Sequence, residues 1–416
     1  IDLLVWYHLA WMGETVRREN LLIKQLMTKA TGFSLHDRRE LVKLIGELLS
    51  RVIDCYRELA DGGQVELAMS PYAHPIVPLL LDMDAAREAM PHISMPQVSS
   101  YPGGEERARW HITEGIATFE QYFAKRPTGC WPSEGGVSGP ALGLLEEYGF
   151  NWAASGESVF RHSQSHPDNT AVADSSLYQG FHLAEGELAC FFRDDGLSDL
   201  IGFTYSDWHA DDAVNNLIEH LENIAASTQG LDGRLVSIIL DGENAWEHFP
   251  ENGYYFLNTL YQRLAEHPDI RMTTYSEYLQ NDHALPRINK LVSGSWVYGT
   301  FSTWIGDKDK NRGWEMLTDA KLAFDESARE NSLSGEQLLA ARHQLSICEG
   351  SDWFWWFGDY NAADTVSDFE RLFRLHLSNL YNMLGKEPPE YLSRVFAQGG
   401  GEPAQGGVMR KGQYSA

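Results

Sequence analysis

Two acidic residues close apolar stretches and open glycine-bearing turns: Glu134 in Gly129-Cys130-Trp131-Pro132-Ser133-Glu134-Gly135-Gly136, and Asp241 in Val236-Ser237-Ile238-Ile239-Leu240-Asp241-Gly242-Glu243-Asn244. When strands and helices alternate, chemistry collects at the C-terminal strand ends. Acids placed there beside aromatic side chains fit hydrolysis or transfer of sugars, in which one carboxylate attacks the anomeric carbon and a second acid protonates the leaving oxygen. Taken singly, Glu134 also reads as an exposed turn acid and Asp241 as an Asx-turn or N-cap residue. Glu243 is a competing acid, better suited to orienting than to catalysis.

Elements of the right kind precede these acids. Ser34 with Asp37 three positions on starts a helix whose apolar face runs from Leu41 to Tyr56 and ends at Gly62-Gly63, a helix expected to cover a sheet. The run Gln64 to Met69 reads as a strand ending at Pro71, so His74 lies just past a strand end. Helices are predicted over about 105–124, from Ser138 to Gly149, over 210–226 and over 253–266. Strands are predicted at 129–131, 151–155, 188–193, 235–240 and 271–274, the run 235–240 as one buried on both faces. This rotation predicts a parallel α/β barrel over residues 1–285. Beyond it come an aromatic loop over 294–306 and helices near 335–346 and 363–384, forming a helical subdomain over 286–395 that contributes to the substrate cleft. Residues 396–416 read as a disordered tail.

Composition narrows the partners. With 416 residues, 43% of them hydrophobic, the chain can bury a large core. Its 33 basic against 59 acidic residues give a formal charge of −26, which repels nucleic acid and anionic membranes and favours a neutral substrate. Cys55, Cys130, Cys190 and Cys348 form no Cys-x-x-Cys pair, which points to a reducing, cytoplasmic setting without a disulfide framework. No apolar run approaches the length of a spanning helix, and no cofactor is implied.

Four segments, in order, carry a resemblance: Glu66-Leu67-Ala68-Met69-Ser70-Pro71-Tyr72-Ala73-His74-Pro75, Trp131-Pro132-Ser133-Glu134, Leu240-Asp241-Gly242-Glu243-Asn244-Ala245-Trp246-Glu247, and Glu349-Gly350-Ser351-Asp352-Trp353-Phe354-Trp355-Trp356-Phe357-Gly358-Asp359. They resemble four of the five signature regions of glycoside hydrolase family 57. That resemblance implies an incomplete (β/α)7 TIM-like barrel with an attached helical region, and retaining hydrolysis or transfer on α-glucans. It assigns Glu134 as nucleophile and Asp241 as general acid/base. The family's first region, a His-Gln-Pro-like segment, has no counterpart here, so the chain reads as N-terminally truncated, with His8 and His111 structural.

Substrate contacts are expected from His74, Trp131, Arg193, Trp246, Trp304, Asp352, Trp353, Trp356 and Asp359. Arg193 would hold the nucleophile ionised, or else pair with Asp194 or Asp199. Adjacent Trp355 and Trp356 should face different ways, one to core and one to cleft. Two other readings stand beside this one: a metal-dependent deacetylase or mannosidase ligated by Asp241 and His74, for which no His-x-x-x-His spacing exists, and a non-catalytic glucan-binding remnant.

Overall fold

A computed structural model describes residues 1–169, 174–242, 245–281, 283–330 and 332–401. It divides into two compact units, one of 1–67, 197–229 and 240–274, the other of 68–196, 230–239 and 275–416. The expected boundary near residue 285 is therefore not where the chain divides: the sheet and the C-terminal helices share the second unit.

That unit holds a five-stranded sheet, β1 (Gly129–Cys130), β2 (Trp152–Ser155), β3 (Phe181–Leu183), β4 (Ala189–Phe192) and β5 (Arg287–Ile288), in the order β1-β2-β4-β3-β5. β1, β2 and β4 run parallel, and β3 is antiparallel to β4 and parallel to β5. Both faces of β2 and β4 are covered, as a parallel sheet requires. Met69 adds one parallel bridge to Cys130. The result is an α/β fold with a largely parallel sheet, followed by helices.

Of the other predicted strands, residues 64–69 contribute the Met69 bridge. The run 235–239 is mostly half-buried and is tied to the second unit: Leu235 N–H donates to the Tyr178 carbonyl, and the Ser237 carbonyl accepts from Asp194 N–H.

The helix Gly104–Phe123 has Ala108, Ile112, Ile116 and Phe119 buried. The helix Gly139–Glu147 starts where Ser138 caps Ala141 N–H. The C-terminal helices Gly335–Cys348, Ser351–Trp356 and Ala363–Met383 are joined by a 22-residue helix, Lys308–Arg329, that the sequence reading missed. Its buried face carries Asp309, Lys310 and Lys321 among Trp314, Met316, Leu317 and Phe324, so its charges masked the apolar period. Lys310 Nζ donates to the carbonyls of Thr303 and Phe354 at 2.6 and 2.5 Å, an arrangement no periodicity reveals. The expected tail begins later than residue 396: Phe396 packs on Phe357 and Phe373, and Gly400 and Gly401 donate to the carbonyls of Asp359 and Asn361.

The first unit is helical among its described residues. Ser34 and Asp37 form the expected capping box, but the helix Leu35–Ser50 breaks at Arg51 before Val52–Asp61. Its one buried residue, Leu41, packs with Val5, Leu9, Ile23, Leu26 and Phe33 within the first unit. The helices Ala210–Ser227 and Tyr254–Ala265 bury Val214, Leu217, Phe256 and Leu260, and Arg263 donates to Asn215 at 2.7 Å.

Candidate active site

Parallel pairing sets neighbouring segments in register, so their C-terminal ends open on one side of the sheet. Met69, β1, β2 and β4 lead respectively into the loops bearing His74, Glu134, Gly156 and Arg193. This is where α/β enzymes of this architecture carry their chemistry.

Glu134 sits in a short turn with φ 56° and ψ 29°, a left-handed conformation costing about 1 kcal/mol for a residue with a Cβ. Gly135 follows at φ 56°, and a Cβ there would lie 2.9 Å from Trp131 Cη2. The double left-handed turn is held by its neighbours: Ser155 Oγ donates to the Gly135 carbonyl at 2.6 Å, and Trp296 N–H donates to the Glu134 carbonyl at 3.2 Å. The Trp296 indole Nε1–H also donates to Glu134 Oε2 at 3.1 Å. Trp131 and Trp296 meet edge to face at 5.2 Å, and a Cβ on Gly156 would lie 2.6 Å from Trp296 Cα, so the Trp296 main chain fits only against glycine. Beside the carboxylate, Ser133 Oγ is buried and makes no hydrogen bond.

Arg193 is buried, donates from Nε to the Ile239 carbonyl at 2.9 Å, pairs with Asp195 at 2.7 Å, and lies 5.4 Å from the centre of the Trp296 ring. It thus stands behind the indole that holds Glu134. Asp195 is a partner the sequence reading did not name. Trp296 was also missed, since it lies 162 residues from Glu134 and its aromatic loop carries no spacing that points to an acid.

His74 lies in a turn where it and Ala73 are both left-handed, at φ 58° and 55°. Its Nδ1 meets Ser351 Oγ at 2.8 Å and its carbonyl accepts from Ser351 N–H at 2.9 Å. The first and last signature segments of this unit are therefore stitched together.

Other expected residues separate. Trp304 is 0% exposed in the core, against Trp355 and Trp314, so it cannot stack on a sugar. Trp353 donates to the Ile347 carbonyl at 2.7 Å and packs on Phe369, Phe373 and His376, and Trp356 stacks on Phe369 at 5.1 Å. These indoles hold helices together. Trp355 and Trp356 do face different neighbours, Trp304 and Phe369. Asp352, in the first turn of its helix, and Asp359 are exposed. Asp241 and Trp246 belong to the first unit, where Trp246 packs on Phe249 and Phe256. Glu243 lies outside the described residues. Cys55, Cys130, Cys190 and Cys348 are free thiols, with burial pushing Cys130, Cys190 and Cys348 upward in pKa, Cys190 to about 12. No group of three or more His, Cys, Asp or Glu suited to a metal occurs among the described residues, and none of the described helices is long and apolar enough to cross a membrane.

A carboxylate at the end of a parallel strand, held by one indole with a second beside it, fits a carbohydrate-active α/β enzyme. Residues 5–291 match the family described as Glycosyl hydrolase family 57. The chain belongs to that family and is a glycoside hydrolase. Its fold is similar to solved structures of low identity. A branching enzyme from Thermococcus kodakaraensis has TM-score 0.61 and 17% identity, over 90% of this chain and 75% of that one. An alpha-amylase from Thermotoga maritima has TM-score 0.62 and 15% identity, over 94% and 80%. A 4-alpha-glucanotransferase from Thermococcus litoralis has TM-score 0.55 and 16% identity, over 82% and 52%.

Proposed function

We propose that this chain acts on α-glucans, at α-1,4 or α-1,6 linkages, by double displacement with retention. Glu134 attacks the anomeric carbon, and Asp241 protonates the departing glycosidic oxygen. Asp241 then deprotonates the water or sugar hydroxyl that releases the glycosyl group from Glu134. The observation that carries the reading is the grip on Glu134: the Trp296 N–H fixes one carboxylate oxygen while the left-handed turn aims the group out of the strand end. Preorganisation of this kind lowers the cost of reaching an attack geometry.

The motif match supports Asp241 in the partner role, and the neighbours' named activities support an α-glucan substrate. Trp131, edge to face with Trp296, is suited to stacking on a pyranose ring. His74 lies on the loop that follows Met69, beside β1, and Arg193 at the end of β4; they fit contacts to sugar hydroxyls and to the nucleophile's surroundings. Asp352 and Asp359, being exposed, remain available to hydroxyls.

The test is Glu134→Gln assayed on maltooligosaccharides and pullulan. Glycosyl-enzyme formation, followed by mass spectrometry with an activated fluoroglycoside, should vanish in the variant. Unchanged turnover would sink the assignment. Asp241→Asn should slow substrates with poor leaving groups far more than activated ones; an equal loss on both would remove Asp241 from the acid role.

A further inference from the structure

A second buried charge cluster of the second unit centres on Glu349. Glu349 is 1% exposed and takes hydrogen bonds from three residues at or just before the helix Gly104–Phe123. Tyr101 OH donates at 2.6 Å, the Arg107 guanidinium grips both oxygens at 2.7–3.1 Å, and His111 Nε2 meets Oε2 at 2.7 Å. Arg107 and His111 are themselves buried, and Arg107 lies 4.5 Å from the centre of the Trp110 ring.

This cluster continues toward the strand-end loops by two routes, one of hydrogen bonds and one along the chain. His111 Nδ1 meets the Tyr72 carbonyl at 2.5 Å while Tyr72 N–H donates to the His111 carbonyl at 3.0 Å, so the loop is clamped two residues before His74. On the other side, Gly350 follows Glu349 so closely against Ala73 that a Cβ would lie 3.0 Å from the Ala73 carbonyl oxygen. Ser351 then takes the His74 backbone and ring together. Ala73 and His74 hold a left-handed pair that no side-chain-bearing residue prefers, so something outside the loop must impose it.

We propose that Glu349 is a positioning residue. From the buried cluster it fixes, through Gly350 and Ser351, the direction in which the His74 imidazole is presented to substrate. The inference rests on the reading of His74 as a sugar contact, and it deepens that reading by naming what aims the ring. A carboxylate with every acceptor site used gives the anchor its rigidity, and Ser351 transmits it with one side-chain and one main-chain bond.

The test uses the full chain with ¹⁵N-labelled histidine. Ser351→Ala should move the His74 Nδ1 resonance and leave that of His111 in place, whereas Glu349→Gln should move both. If Glu349→Gln does not fold, Tyr101→Phe removes one of the carboxylate's donors more mildly and should displace the same His74 signal. A His74 resonance unmoved in a folded Glu349→Gln or in Tyr101→Phe overturns the proposal.

Kinetics on a maltooligosaccharide give the second arm. Ser351→Ala should raise KM about five- to tenfold with kcat nearly unchanged, the loss of one polar contact felt in substrate binding. Ser351→Thr should restore it, and in a His74→Ala background Ser351→Ala should add nothing. Equal losses in both backgrounds would show that Ser351 acts elsewhere. If the wild-type chain turns over no glucan, the proposed function fails, while the resonance shifts still decide whether Glu349 positions His74.

Discussion

Glu349 also makes a prediction about stability that needs no assumption about substrate. Burial alone would raise its pKa, but the Arg107 charge and the His111 hydrogen bond outweigh burial and bring it from the ordinary 4.5 down to about 2. A depressed carboxyl contributes stability that is fully present above its unfolded value and is lost as pH falls toward its folded one. The window therefore runs from about pH 4.5 to about pH 2. At about 1.4 kcal/mol per pH unit, that interval corresponds to about 3 kcal/mol. In Glu349→Gln the Arg107 guanidinium stays buried without its carboxylate, which costs about 3–5 kcal/mol near neutrality and lowers the thermal midpoint by on the order of 5–10 °C. Melting both proteins across this range by near-ultraviolet circular dichroism isolates the residue from the other carboxylates, which titrate in both. The gap should be widest at pH 6–7 and close by most of its value as pH falls through the window. A gap that stays constant down to pH 3 would refute the claim that ionised Glu349 anchors the cluster.

Two further substitutions probe other parts of the structure. Trp296→Phe keeps the edge-to-face contact with Trp131 but removes the donor to Glu134; loss of about 1–2 kcal/mol of carboxylate orientation should lower kcat about five- to thirtyfold with little change in KM, and a change below twofold would mean the indole N–H does not serve catalysis. Lys310→Met leaves the buried carbonyls of Thr303 and Phe354 without this donor and should cost about 2–4 kcal/mol, read as a lower thermal midpoint; an unchanged midpoint would show that water or a neighbour replaces the ammonium.

Much of the architecture was legible because its signals are local. The Ser34–Asp37 capping box, Ser138 before its helix and the spacing of Ile112, Ile116 and Phe119 are each read within one or two turns of chain. β2 and β4 were found from short apolar runs between turn residues, because burial on both faces demands such runs. Periodicity failed at 308–329, where a lysine hydrogen-bonded to buried carbonyls and another paired with Asp325 hide a core helix. Aromatic type alone does not separate platform from core: Trp304 has the composition of a sugar platform and the environment of core.

By itself the sequence determined the family, the α/β class and the acid at the end of β1, since ordered motifs and local periodicity survive without coordinates. Tertiary structure decided which partners those residues keep. Trp296 reaches Glu134 across 162 residues, and Glu349 reaches Arg107 across 242. Such pairings are fixed by packing of elements distant in the chain, where the free energy of burying an indole or a charge depends on what closes around it, and nothing in the residues on either side records that.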